Sequence, residues 1–254
     1  MKVKQERIDS IDVAKGIGIL LIIIGHLGAI RLGMLFNCCY ILYIFHVPLF
    51  FFISGIFLKP YSKDTAVFEI SKKVSRLIKP YYIFGFFACL LAMSISSDFC
   101  LKNQLIGYLL MFRRVNGEAC FTGALWFLPA LFANIIICSF IIRYRIKYCF
   151  ILSLIFVFFA YVLGYYKVCL PLNLEVSFLF IPLTLSAFFY WRDIIRFSKL
   201  GALIFLPCSL SLLFCYKLFG ISSINYYMSS FGMGGYFLCF VRNMCSVLFI
   251  ANYQ

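Results

Sequence analysis

Eight apolar runs, each about as long as a helix that crosses a bilayer, constrain this chain's fold more tightly than any single motif. They cover residues 16–35, 38–58, 80–97, 121–142, 148–166, 174–191, 200–219 and 230–250. A span needs roughly 20 mostly apolar residues at about 1.5 Å each, and the run at 148–166 meets that need without a single charge. Of all residues, 64% are hydrophobic and only 13% are charged. Soluble domains carry roughly 25% charged residues, and half that supply cannot cover a soluble surface. A soluble enzyme, a disordered chain and a secreted disulfide scaffold are therefore excluded. Strict apolar/polar alternation is absent, which argues against an outer-membrane barrel. The expected fold is all-α, a polytopic transmembrane helical bundle of about eight spans, in a single domain over residues 1–254. Residues 1–15 are too charged to form a removable signal peptide.

The 23 Lys and Arg residues outnumber the 9 Asp and Glu residues, and their distribution explains the surplus. With the N-terminus in the cytoplasm, one side of the membrane holds Lys2, Lys4, Arg7 and Lys15, then Lys59, Lys63, Lys72, Lys73, Arg76 and Lys79. The later loops on that side add Arg143, Arg145, Lys147, Arg192, Arg196 and Lys199. The other side holds Lys102, Arg113, Arg114 and Lys167, with Arg31 and Lys217 near helix ends. This bias satisfies the positive-inside rule, so nucleic acid is not needed as a partner and the lipid bilayer is. The twelve cysteines form no CxxC pair and read as small apolar fillers, with no metal site expected. Cys100, Cys120 and Cys169 fall near the outer face, where a disulfide remains open.

Ionisable groups inside a membrane are costly and point to function by default. Both histidines, His26 and His46, lie within apolar runs. The alternative for each is an imidazole satisfied by a neighbouring helix. Lys15 precedes His26 by eleven residues, which on a helix leaves the two about 20° apart and roughly 16–17 Å along the axis. Asp12 is spaced to pair with Lys15. A charged pair at the cytoplasmic lip with a base deeper on the same stripe suits a substrate anchored by an anionic part.

Within 71–82 (SKKVSRLIKPYY), Lys72, Arg76 and Lys79 recur at i, i+4 and i+7, one helical face. Topological anchoring explains some of that charge, and phosphate binding is the rival reading. Residues 123–132 (GALWFLPALF) begin the fourth run; Trp126 suits an interfacial belt, and Pro129 is expected to kink the helix. Arg113, Arg114 and Glu118 precede it and, with Trp126, form a candidate acceptor site. Arg242 and Glu175 are further ionisable groups in the later runs.

These segments together resemble the acyltransferase-3 family. The resemblance rests on IDSIDVAKGIGILLIIIGH at 8–26, FHVPLFFFISG at 45–55, RLIKPYY at 76–82 and ALWFLPALF at 124–132, in that order. It is nearest to bacterial membrane O-acetyltransferases that modify polysaccharides and other cell-surface glycans. It implies a multi-pass protein of the bacterial inner membrane, with no permanently bound cofactor, an acyl-CoA (acetyl-CoA) donor from the cytoplasm and a glycan or sugar acceptor. Carried over by motif, Lys15 and His26 match the family's basic residue and histidine, and His46 matches the histidine of the second motif. Arg76 and Lys79 match its Arg-x-x-Arg pattern, with lysine in the second place. The implied roles are His26 as general base or acyl carrier and His46 as orienting or oxyanion-stabilising group. Lys15, Lys72, Arg76 and Lys79 would hold the CoA phosphates. Family members carry more spans than this chain, so the resemblance also implies a product lacking the last ones. A transporter or flippase for a glycan or lipid-linked sugar, and an inactive remnant, are the alternatives.

Overall fold

The computed structural model describes residues 9–31, 47–62, 64–95, 100–116 and 118–196. Over these residues the protein is mainly helical. Its contacts divide it into two units: the first takes in Met1–Ile56 and the chain from Ser186 onward, the second Phe57–Leu185 with a short later segment. In the first unit, α1 (Asp9–Arg31) carries Asp9 and Asp12 in its first turn, where carboxylates favour the positive end of the helix dipole. This acidic turn extends the helix upstream of the apolar run expected from 16. A β-carbon on Gly18 would lie 3.1 Å from the Phe50 ring, so α1 packs closely on α2 (Val47–Ile56) at that glycine.

The second unit opens with α3 (Ala66–Lys73), which continues through a π-helical turn (Val74–Ile78) into α4 (Lys79–Ile95). Then come α5 (Leu101–Leu110), a two-stranded hairpin of β1 (Arg114–Val115) and β2 (Glu118–Ala119), a 3-10 turn (Gly123–Trp126) and α6 (Phe127–Ile141). α7 (Ile146–Tyr165), a second 3-10 turn (Pro171–Asn173) and α8 (Leu174–Arg196) complete the described chain. Three stretches among the described residues are long and apolar enough to cross a membrane: Ala66–Ser94, Ile146–Tyr165 and Pro171–Tyr190. The middle one is 17% buried and the last 67%, so α7 presents most of its surface outward while α8 is a central packing element.

The expected runs at 148–166 and 174–191 correspond to α7 and α8, whereas those at 200–219 and 230–250 lie outside the described residues. The run at 121–142 is not one helix. It divides into the 3-10 turn and α6, and α6 is only 15 residues long. Pro129 does not kink it. Pro129 sits in the first turn, where its missing N–H has no intrahelical acceptor to leave unmet.

The segment after α4 also departs from a simple outer loop. The Tyr82 hydroxyl donates to the Leu109 carbonyl (3.0 Å), Tyr108 donates to the Tyr82 carbonyl (2.7 Å) and Tyr81 to the Tyr108 carbonyl (3.3 Å). α5 therefore runs back along α4 to that helix's first turn. Gly85 makes room for this return, since a β-carbon there would fall 2.8 Å from the Tyr108 ring. Buried Gln104 on α5 then fixes the hairpin, donating to the Ala119 carbonyl (3.1 Å) and accepting from the Phe121 N–H (2.9 Å).

α6 and α8 are joined by polar groups in an otherwise apolar contact. Asn134 donates to the Ser177 carbonyl (2.9 Å), Thr184 donates to Asn134 Oδ1 (2.7 Å), and Ser177 donates to the Ala130 carbonyl (2.7 Å). All four residues are buried. Small and polar residues let helix backbones approach and bond directly where lipid gives no hydrophobic drive.

Candidate functional site

Two features of the second unit carry side chains suited to chemistry, and they share a wall. The first is a mainly apolar groove of about 490 Å³ along the π-helical turn, lined by Val74, Ile78, Tyr82 and Ile83, with Ser71, Ser75 and Lys79 as its polar residues. These positions recur at helical spacing, so one stripe of the α3–α4 helix forms the groove floor. The extra residue in a π turn shifts the register between Lys72 and Lys79. Lys79 consequently lines the groove, while Lys72 pairs with Glu69 (3.0 Å) and sits 3.8 Å above the Phe68 ring. Arg76 is exposed on the turn itself.

The second feature is organised by Asn173, which is fully buried. Its amide donates to the carbonyls of Met111 (3.0 Å) and Trp126 (3.2 Å), and its oxygen accepts the Arg113 N–H (3.0 Å). One side chain thus ties together the end of α5, the approach to the hairpin and the start of α6. Met111, Leu172 and Asn173 all hold positive φ angles (58°, 60° and 50°), a conformation that surrounding contacts must enforce in residues other than glycine. Held this way, the Arg113 guanidinium lies 5.8 Å from the centre of the Trp126 ring. Glu175, in the first turn of α8, is 4% exposed and within electrostatic reach of Arg113. Its Oε2 accepts the Leu170 N–H (3.1 Å), and its Oε1 is buried with no side-chain partner among the described residues.

The shared wall is an apolar cluster of Ile78, Tyr81 and Met111, with Tyr82 and Leu172 packed against it. Ile78 and Tyr82 face the groove; Met111 and Leu172 flank Asn173. The return of α5 along α4 brings Arg113 to the level of the basic turn, not to the opposite side of the membrane from it as the loop charges led one to expect. Nearby, burial pushes the Cys120 thiol up to about 11 and raises Cys169 as well, while the Arg114 N–H bonds the Cys169 sulfur.

The residues expected to carry function fall as follows. Lys15 lies on α1 in the first unit and pairs with Asp12 (3.1 Å). His26 lies on the same unbroken helix, eleven residues on, and its side chain is outside the described set. His46 and Arg242 lie outside the described residues. Lys72, Arg76 and Lys79 belong to the second unit, as do Arg113, Arg114, Glu118 and Trp126. The fold brings Arg113 and Trp126 together. Glu118 instead accepts from Asn103 (3.1 Å) on α5 and is exposed. Asn173, Asn134 and Thr184 were not anticipated, although polar groups inside apolar runs are the signal that finds them. Among the described residues, no group of His, Cys, Asp and Glu could hold a metal ion.

Residues 8–253 match the model of one protein family, described as an acyltransferase domain. No curated protein and no solved structure matches the chain.

Proposed function

The chain belongs to the acyltransferase-3 family, and on that premise we propose that it is a multi-pass enzyme of the bacterial cell membrane that O-acetylates a glycan. The donor is cytoplasmic acetyl-CoA, and the acceptor is a hydroxyl of a cell-surface glycan or its precursor. The family match along nearly the whole chain is the observation that carries this reading. The groove that Lys79 lines supports the donor half of this reading, because an exposed ammonium beside it can meet a phosphate.

In this reading His26 takes the proton of the acceptor hydroxyl as its oxygen attacks the thioester carbonyl. The tetrahedral intermediate collapses with release of the CoA thiolate, which is then protonated, leaving an acetyl ester. His46 stabilises the oxyanion that forms on the way. The CoA phosphates meet Lys79 and Arg76, with Lys72 in support, and Lys15 serves the same purpose on α1. Arg113 and Trp126, which the fold brings together, serve the acceptor, with Arg114 beside them; Glu118, engaged by Asn103, is left out of this set.

The groove geometry makes the donor half testable. A charge-assisted bond to phosphate contributes about 1.5–3 kcal/mol, or roughly tenfold or more in affinity. Lys79→Ala is expected to weaken binding of labelled acetyl-CoA to the purified chain by about tenfold. Lys72→Ala, whose ammonium is held by Glu69, is expected to weaken it less. Equal losses, or none displaceable by free CoA, overturn the donor assignment.

A further inference from the structure

We infer that the turn between α6 and α7, residues 143–148, is a docking surface for the headgroups of anionic phospholipids. Its sequence, RYRIKY, alternates positive charge with rings and a branched side chain. All six residues are exposed, Tyr144 at 62% and Tyr148 at 48%. No acidic residue occurs in the sequence between Glu118 and Glu175, so three positive charges stand together here undiluted. Topology accounts for the sign of that charge. It does not account for three large apolar side chains held outward between the cations.

The turn is held to a fixed shape. α6 ends at Ile141 and α7 begins at Ile146, so four residues make the connection. The Tyr144 N–H donates to the Ile141 carbonyl (3.0 Å) and closes it from the backbone. Buried Cys149 sits beneath, its thiol donating to the Ile141 carbonyl (3.2 Å) with the Tyr144 carbonyl at 3.4 Å. Lys147 stands 4.9 Å from the centre of the Tyr148 ring, which keeps its ammonium beside an aromatic face.

The depth of the turn follows from α7. That helix is long and apolar enough to cross a membrane, and exposed Tyr148 and Tyr165 stand near its two ends. They lie about 26 Å apart along the axis, close to the roughly 30 Å of a hydrocarbon core. Tyrosines favour the two membrane–water interfaces, so residues 143–147 fall in the headgroup layer just beyond the first. Exposed Ile151 and Ile155 then offer apolar surface to the acyl chains of a lipid whose phosphate meets Arg143 and Arg145. In the topology that the charge bias implies, this is the cytoplasmic leaflet, where anionic lipids concentrate negative charge. None of these residues lines the groove beside Lys79, so the surface is separate from the donor assignment.

The test uses the purified full chain in micelles of a neutral detergent, titrated with phosphatidylglycerol or phosphatidylcholine. Bound lipid is counted by native mass spectrometry. A basic residue near anionic headgroups contributes about fivefold in affinity, so the parent should prefer phosphatidylglycerol by about tenfold or more. Arg143→Gln, Arg145→Gln and Lys147→Gln combined are expected to remove that preference and leave phosphatidylcholine binding unchanged. Lys167→Gln, beyond the other end of α7, is expected to keep it, and so is Arg143→Lys combined with Arg145→Lys. Inorganic phosphate at millimolar concentration is expected to leave the bound lipid in place. The inference is overturned if the parent shows no preference, or if the triple glutamine variant retains it. It is overturned equally if the lysine pair loses as much as the triple variant, which marks a damaged turn rather than lost charge. Displacement by inorganic phosphate would make the turn a site for free anions, and overturns it too.

Discussion

Replacing Asn173 tests how the Arg113–Trp126 cluster is held. Its side chain makes three hydrogen bonds within a fully buried site, to the Met111 and Trp126 carbonyls and from the Arg113 N–H. Asn173→Ala removes all three, at about 1 kcal/mol each. It also leaves alanine at a φ of 50°, a left-handed position that asparagine's short polar side chain tolerates and where alanine costs about 1 kcal/mol more. The expected loss is about 4 kcal/mol. Asn173→Gly loses the same bonds without the left-handed penalty and should be less damaging, by about 1 kcal/mol. Reversible unfolding in mixed micelles, followed by circular dichroism, measures both. The reasoning is refuted if Asn173→Ala stays within about 1 kcal/mol of the parent. It is equally refuted if the glycine variant proves the weaker of the two, because the left-handed backbone would then not be what alanine resists.

Two further expectations concern packing and reactivity. Asn134→Leu and Thr184→Val should show a coupling of about 0.6–1.7 kcal/mol in a double-mutant cycle, the range for bonds between membrane helices; additive losses would remove the direct bond between α6 and α8. The Cys120 thiol, held up to about 11 by burial, is the protonated form at pH 8. Site-resolved iodoacetamide labelling should therefore leave Cys120 unmodified at that pH, with labelling rising as the pH approaches 11; rapid modification at pH 8 would show a thiol that is not buried.

How much of this was legible from sequence differs by element. α7 and α8 follow directly from uninterrupted apolar runs, because a lipid-facing or central helix needs little else to define it. Residues 98–120 lie between two apolar runs and read as a connection, which hides the return of α5 along α4. What folds it back is a set of distant pairings, Tyr82 with Leu109 and Gln104 with Phe121, that no periodicity records. Pro129 reads as a kink only if the helix begins at 121; the 3-10 turn before α6 makes the proline a first-turn residue. The shared face of Lys72, Arg76 and Lys79 assumed an unbroken α-helix, and a π turn interrupts it. At the site, the charged residues drew attention while Asn173, an uncharged side chain, organises them.

The central claim is that this chain moves an acetyl group from acetyl-CoA onto a glycan with His26 as the base. Membrane vesicles from cells expressing the chain, given acetyl-labelled acetyl-CoA, test it most directly. Label should pass to the glycan fraction in the parent and fall to background in His26→Ala at equal protein level. Transfer undiminished in His26→Ala, or no transfer in the parent, would contradict the account.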